Sequence, residues 1–546
     1  MTNSEVPVLI VGAGPVGLSA AMSLVRLGIT VLVVEKHPSL STHPKARGIN
    51  IRTMELMRLW QVEQMMRRHE LPEEAKRFVW AYDFQDKNFI SIEKAKEDKR
   101  YSPTISAIVS QDWVESELLE ALMQYPNFQI TFSTALTEFT YNDNGIVATL
   151  KHRTTDSEQQ IFAKYMIAAD GAHSFVRKQL GVDMHGAENL GNFCSIYCEV
   201  DLTHLIKDKL CAVMVLTSPE LRRCVLMSVD GARKWVFSIR YLEQEGYTQE
   251  YFTREKCIEL IRKIIGDENI PIQLINRNFW TMAALNAERY TSDNIFLVGD
   301  AAHRLPPTGG FGMNTGIQDS HNLAWKIAYV LKGWADASIL QSYQVERSAI
   351  AQANIDWSSH NAERLVKIFT ALEAGDITTA EKHIHSQHQH VNNLGLDIGF
   401  VYKQGLFIEE KKSRAAKSVE VETYQPSGEP GARAPHVVLQ FGHKTLSTLD
   451  LFEQDYVFLT MNPAWEIAVD SINSQLNHPV KYYLISSTCY HDINHAFLTC
   501  YQLEQSGAVL VRPDGHIAWH MSQVKAVDEH YLIDVVQQLG LCIKEK

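Results

Sequence analysis

The hydrophobic positions near the start of the chain fall into a strand, a helix and a second strand. Val6 to Val11 is a short apolar run rich in β-branched residues, the pattern of a buried parallel strand. A glycine-rich turn follows, then a helical stretch from Pro15 to Leu27, with Gly28 where a helix C-cap belongs. Thr30 to Val34 is a second apolar run, and it ends at Glu35. This order predicts one βαβ unit within the first 35 residues.

The patterning continues with a helical stretch from Arg52 to His69, strands and loops over residues 80–110, and a helix from Gln111 to Tyr125. Asn142-Asp143-Asn144-Gly145 is a hairpin signal between strand-like segments. Tyr165 to Ala169 is an apolar strand running into Asp170-Gly171, and Ile295 to Val298 is another running into Gly299-Asp300. Between them, residues 185–280 alternate strand patterns around a helical stretch near Glu255–Ile265, which predicts a mostly antiparallel sheet carrying the substrate pocket. A Pro/Gly-rich loop from Leu305 to Gly312 precedes a long helix from Met313 to Leu331, and helical patterns persist to Ala374. Residues 375–435 are looser, and a new α/β pattern begins after 436. The predicted division is 1–184 with 281–375 as one discontinuous domain, 185–280 as a second, 376–435 as a linker and 436–546 as a third. The fold class is α/β with an α+β middle domain.

Composition narrows the function. The chain has 546 residues, 45% hydrophobic and 21% charged, which is ordinary soluble globular usage. Its net charge of −12 and the lack of a long basic run argue against nucleic acid as a partner. None of the eight cysteines forms a C-x-x-C pair, so neither a disulfide framework nor a zinc site is expected. His383, His385, His388 and His390 lack an acid or cysteine to complete a metal site, so no metal is expected there. The apolar N-terminus lacks a basic lead-in, and no apolar stretch reaches the ~18 residues a membrane span needs. A cytoplasmic address with no membrane association is the expectation.

The chemistry lies in the turns. Gly12-Ala13-Gly14-Pro15-Val16-Gly17 matches G-x-G-x-x-G between a strand and a helix. One glycine permits the tight turn, one lets the backbone approach a pyrophosphate, and one lets helix and strand pack closely. The helix N-terminus points N–H groups and its dipole at the phosphates. Glu35, about 20 residues on, is placed to accept ribose hydroxyls, with Lys36 beside it. The motif alone does not separate FAD from NAD. Asp170 and Asp300, each beside a glycine at a strand end, are placed for further hydroxyls, and the second glycine-rich turn leads into another helix N-terminus suited to an anionic ring edge.

These residues make the chain resemble the FAD-dependent aromatic hydroxylases, in their phenol and polyketide hydroxylase branch. Three motifs carry the resemblance over roughly residues 5–365: Gly12 to Gly17, Asp170-Gly171-Ala172-His173-Ser174-Phe175-Val176-Arg177, and Gly299-Asp300-Ala301-Ala302-His303 with Pro306-Pro307. Pro44 to Leu56 fits the same branch. The resemblance implies a Rossmann-like FAD-binding domain with a parallel sheet, an antiparallel-sheet substrate domain and a thioredoxin-like C-terminal domain. It implies FAD held by Gly12, Ala13, Gly14, Pro15, Gly17, Glu35, Lys36, Arg47, Gln111, Asp170, Asp300, Pro307, Gly310 and the Gly312-Met313-Asn314 backbone. NADPH or NADH is the transient reductant, and oxygen is activated as a flavin C4a-hydroperoxide that hydroxylates a small aromatic substrate. The protein then supplies orientation and a dry cavity, and no side chain is expected to do the chemistry itself. Candidate substrate-orienting residues are Trp235, Phe237, Arg240 and Pro307; an ordinary sheet core is the alternative for the two aromatics. The C-terminal domain lacks C-x-x-C, so a structural or oligomeric role, as in a homodimer, is expected of it. Two other outcomes stay open at this point: the same fold performing Baeyer–Villiger insertion or oxidation without oxygen transfer, and a non-catalytic flavoprotein acting as a redox sensor or interaction module.

Overall fold

In the computed structural model, which describes residues 4–221, 224–408 and 420–544, the first elements are β1 (Ser4–Val11), α1 (Pro15–Arg26) and β2 (Val31–Val34). β1 pairs in parallel with β2 through Val8↔Val31 and with the strand Glu158–Ala168 through Val8↔Tyr165. The strands Ile295–Leu297 and Phe128–Thr131 extend this parallel sheet on either side. Helices cover it, so β1 must be apolar on both faces, and Val8, Leu9 and Ile10 are fully buried. The predicted hairpin forms, with Asn142 opposite Gly145. The helix expected from Arg52 to His69 is instead two, Ile51–Leu59 and Glu63–Arg67. Gln61 breaks it by adopting φ +65°, a left-handed conformation that no helix continues through.

The second sheet is built on β3 (Met184–Glu199), β4 (Lys234–Tyr241) and β5 (Gln273–Ala287). β3 lies between the other two, with Phe193 opposite both Arg240 and Trp280. The sheet also recruits Arg77–Ala81 and Ile90–Glu93 from much earlier in the chain, through the parallel pair Val215↔Trp80. The helix Arg254–Ile265 covers one face. Its apolar positions Cys257, Ile261, Ile264 and Ile265 follow helical spacing. They bury against Cys194, Ile196, Cys198, Trp235, Phe237 and Ile239.

Two long helices, α2 (Phe311–Leu331) and α3 (Ser342–Glu373), join the layers. Residues 376–408, read from the sequence as part of a linker, carry three short helices, and Ile384 packs with Ile368 of α3 against Trp80, Ile92 and Val215. The C-terminal part has a four-stranded mixed sheet in the order Lys481–Leu484, Val457–Thr460, Ala508–Val511, Ile517–Met521, flanked by the helices Trp465–Gln475 and Glu529–Gln538, a thioredoxin-like arrangement. A single apolar core runs from β1 through Trp325 of α2 to Phe458, Trp465 and Trp519. Among the described residues no helix is long and apolar enough to cross a membrane.

Candidate active site

The glycines of the first turn have separate steric reasons to be glycine. Gly12 adopts φ +105°, and a Cβ there would collide with the Ala169 carbonyl oxygen. A Cβ on Gly17 would collide with the Gly12 carbonyl, so α1 sits directly on the turn. Gly14 has ordinary extended geometry and nothing within 4 Å of a would-be Cβ. Its surroundings are open, so here the backbone is bare toward the groove. Pro15 occupies the first turn of α1, where a missing N–H costs nothing, and no side chain caps the helix.

Three carboxylates border the groove. Glu35 accepts the Ala13 N–H on Oε2 and the His37 N–H on Oε1, both at 2.9 Å, and each oxygen retains a lone pair. Asp170 accepts the Val176 N–H on Oδ2 at 3.1 Å, while its Oδ1 is buried without a partner. Arg177 bridges the two later motifs by donating to the carbonyls of Ala301 and Ala172. Asp300 is exposed at the tip of its turn. That turn is gripped from behind. The Asp319 Oδ2 accepts from the Gly299 N–H at 3.2 Å and from His303 Nε2 at 2.6 Å, and Oδ1 accepts from Arg347 Nε at 2.8 Å. Burial pushes the Asp319 carboxyl up, but His303 and Arg347 outweigh it and hold it below the usual range. Asp319 and Arg347 were not legible as site residues from sequence.

Along the other wall, the turn Pro307–Gly310 closes through the Gly310 N–H to the Pro307 carbonyl at 3.1 Å, with Pro307 exposed. Gly310 (φ +69°) starts α2 with no side-chain cap, and Gly312 is open above its Cα. The Asn314 side chain is fully engaged, accepting from the Asn50 N–H and donating to the Gly48 and Gly310 carbonyls. It fixes the first turn of α2 beside Gly48–Asn50, and the backbone N–H groups that open the helix, at Met313 among others, have no partner within it. Three expected cofactor residues have other partners. Arg47 donates to the Ala212 and Ser228 carbonyls of the second sheet, and burial lowers its guanidinium to about 10. Gln111 donates to Glu115 at 2.7 Å, and burial raises that carboxyl to about 7. Lys36 is exposed, and its carbonyl accepts from Arg153.

The second sheet turns its uncovered face toward these elements. His43 reaches Asn276 at 2.5 Å and meets the Tyr197 ring edge-on, and Arg304 donates to the Thr281 carbonyl. On this face Phe193 and Trp280 stack at 4.6 Å, and the Trp280 indole N–H donates to Ser195, which is 3.3 Å from Ser238. Arg240 lies beside Phe193 with its Nε buried and unpartnered. Trp235 and Phe237, expected among the substrate-orienting residues, belong to the buried cluster under the helix Arg254–Ile265, so their side chains face away from the groove. The period-2 alternation of Phe193, Ser195 and Tyr197 was the available signal for the correct face. The histidines at 383–390 take other roles: His388 pairs with Glu422, and His390 packs edge-on against Phe78.

The FAD implied by the sequence resemblance fits this groove. It needs open backbone at a helix N-terminus, carboxylates for hydroxyls and a second N-terminus for an electron-rich ring. Gly14, Glu35, the orphaned Asp170 Oδ1, exposed Asp300 and the uncapped start of α2 provide those features.

Comparison with known proteins agrees. A family model described as FAD binding domain matches residues 5–358, and one described as aromatic-ring hydroxylase, C-terminal, matches residues 427–539. Tetracenomycin A2 monooxygenase-dioxygenase of Streptomyces glaucescens is 32% identical over 554 residues, covering 95% of this chain and 94% of that protein. The solved structure of the flavin-dependent monooxygenase PieE in complex with FAD and substrate superposes with a TM-score of 0.91 at 26% identity, covering 98% of both chains. An aklavinone-11 hydroxylase in ternary complex with FAD and aklavinone gives 0.81 at 30% identity, covering 99% of this chain and 100% of that one.

Proposed function

The chain belongs to the FAD-binding aromatic-ring hydroxylases and is an FAD-dependent aromatic monooxygenase; from that premise we propose that its substrate is a fused, polyketide-type phenol and its reductant NAD(P)H. The overall reaction is Ar–H + O2 + NAD(P)H + H+ giving Ar–OH + H2O + NAD(P)+. Bound FAD supplies the electron relay and the oxygen activation. The protein supplies position, charge and dryness. Val16 and Gly17 N–H groups at the start of α1 meet the pyrophosphate where Gly14 leaves the backbone bare. Glu35 takes the adenosine ribose, and Asp300 with Asp170 the hydroxyls further along. The first-turn N–H groups of α2, Gly312 to Asn314, stabilise negative charge on the ring.

The observation that carries the substrate class is the Phe193–Trp280 stack with Ser195, Ser238 and Arg240 around it. The outer face of such a stack receives a further flat ring system, hydroxyls bond its quinone or phenol oxygens, and a cation orients a phenolate. Arg47 ties the loop before Gly48 to the second sheet region through the Ala212 and Ser228 carbonyls. The test is NAD(P)H oxidation by the purified holoenzyme with single-ring phenols and with three- or four-ring hydroxyquinones, product masses being recorded. Strong stimulation by the larger compounds with gain of one oxygen atom is expected. Stimulation confined to single-ring phenols removes the substrate class. Oxidation of substrate without oxygen gain removes the hydroxylation.

A further inference from the structure

The C-terminal domain has no C-x-x-C pair in its sequence, yet its turn Arg512–Asp514 is buried against α2 and α3 of the flavin-binding half. Arg512 donates to both Glu346 oxygens, at 2.6 and 2.9 Å, and through Nε to Asp514 at 3.0 Å. Lys326 donates to the same Glu346 at 2.8 Å. The Asn322 amide nitrogen, on α2, faces three acceptors, Glu346 at 2.7 Å, Asp514 at 3.1 Å and the Tyr402 hydroxyl at 3.4 Å, with two hydrogens to share among them. Arg347 donates to that hydroxyl at 3.3 Å, to the Thr315 carbonyl at 3.2 Å and to Asp319 at 2.8 Å. Asp319 then holds Gly299 and His303, the residues flanking Asp300. Arg512, Asp514, Glu346, Lys326, Asn322, Tyr402, Arg347, Asp319 and His303 are each at most 3% exposed.

Burying this many charges does not serve stability. Desolvation costs several kcal/mol per ion, and apolar replacements of like volume are often as stable or more so. What a densely hydrogen-bonded polar web provides is a restricted geometry. Here its two ends are a turn of the C-terminal domain and the turn that presents Asp300. Gly316 adds a rigid stop, because a Cβ on it would lie 2.6 Å from Val16 and 2.9 Å from Gly299, so α2 cannot shift without moving that turn.

We propose that Arg512 and Asp514 are positioning residues for the FAD site, acting through Asn322, Tyr402, Arg347 and Asp319 on the turn Gly299–His303. The inference rests on the flavin reading above. It gives the C-terminal domain a task in cofactor geometry that is separate from its docking, which other pairs such as Arg58–Asp450 and Arg26–Glu453 also serve.

The test compares Asp514→Asn, Arg512→Lys and Tyr402→Phe with the docking controls Glu453→Gln and Arg58→Gln. FAD dissociation constant, midpoint potential of the bound flavin and melting temperature are measured for each. Asp514→Asn is expected to weaken FAD about tenfold, which is about 1.4 kcal/mol, and to shift the potential. Tyr402→Phe removes only one oxygen and is expected to change the same two quantities in the same direction, less strongly, even if Asp514→Asn does not fold. The controls lower melting temperature and leave both flavin quantities unchanged. Web variants with FAD affinity and potential within twofold and a few millivolts of the parent, or moving in step with the controls, overturn the proposal. A parent protein that holds no FAD would instead overturn the flavin reading itself.

Discussion

Two glycines in one turn give opposite predictions, and the difference can be worked from geometry. Gly14→Ala places a methyl where nothing lies within 4 Å, at φ −72° and ψ 179°, which alanine adopts without strain. Losing glycine at an N-cap costs the apoprotein about 1 kcal/mol or less. The methyl does point into the ground the pyrophosphate needs. Displacing one charge-assisted N–H bond, about 1.5–3 kcal/mol, weakens FAD about 10- to 100-fold. Gly17→Ala instead drives a methyl into the Gly12 carbonyl oxygen, which is backbone and cannot rotate away. Overpacking of that kind costs ~1–3 kcal/mol, at the upper end here. Helix propensity returns ~1 kcal/mol, so the net loss is about 2 kcal/mol in the apoprotein. The assay is thermal melting of both apoproteins together with FAD titration by fluorescence quenching. Gly14→Ala that binds FAD like the parent, or Gly17→Ala that melts like the parent, refutes the assignment of one glycine to ligand approach and the other to packing.

Three further outcomes are expected. Trp280→Ala should raise KM for the aromatic substrate about tenfold, since it removes half of a stacked platform worth ~0.5–1.5 kcal/mol beyond its area; Trp235→Ala should instead destabilise the fold by ~3–5 kcal/mol with KM little changed in whatever protein folds. Glu35→Gln keeps one acceptor oxygen and loses the charge, so equilibrium dialysis should show FAD held about tenfold more weakly. Glu115, lifted from 4.5 to about 7 by burial, keeps its proton in the folded chain over a range where the unfolded chain has lost it. Its favourable contribution is therefore complete below pH 4.5 and lost as pH rises through about 7. Glu115→Gln, which can still accept from Gln111, should melt alongside the parent near pH 4.5 and above it at pH 8, by an amount of about 1–3 kcal/mol; parallel melting curves at both pH values would refute the assignment.

The parts of the fold that were legible in the sequence are those written locally. β1, α1 and β2 follow from one apolar run, one glycine turn and a second run, and each boundary has its own residue to mark it. The hairpin at Asn142–Gly145 is likewise a four-residue signal. What alternation cannot say is which face of a strand meets which neighbour. β4 offers Trp235, Phe237 and Ile239 on one side and Ser238 and Arg240 on the other, and the choice is made by the helix Arg254–Ile265, which covers the aromatic side. Nor could the sequence announce that Arg77–Ala81 joins this sheet, because the pairing partner Val213–Leu216 lies far along the chain. The buried web was invisible for the same reason. Asp319, Arg347, Tyr402 and Asp514 share no motif and meet only after four separate segments have packed.

Hydrogen-bond saturation separates the polar residues that build this site from those that face its ligands. Asn314 uses its amide oxygen once and its nitrogen twice, and Asp319 accepts three bonds, two from the turn Gly299–His303 and one from α3. Both are buried and committed to protein partners, so their work is to fix backbone: Asn314 the start of α2, Asp319 the turn around Asp300. Asp300 is exposed, Asp170 keeps one oxygen unpaired under cover, Glu35 keeps a lone pair on each oxygen, and Arg240 keeps a buried Nε without an acceptor. An unpaired buried polar atom costs about 1–3 kcal/mol, a cost that a ligand relieves where the atom borders its site. Asp170 and Arg240 are two of several such atoms among the described residues, Asp170 beside the flavin-binding turns and Arg240 beside the Phe193–Trp280 pair. On the function proposed above, Asp170 would meet the cofactor's hydroxyl chain and Arg240 an oxygen of the aromatic substrate. Titrating each with its own ligand should relieve each cost separately, FAD stabilising the apoprotein of Arg240→Met as much as the parent, and substrate stabilising the Arg240→Met holoenzyme less than it does the parent.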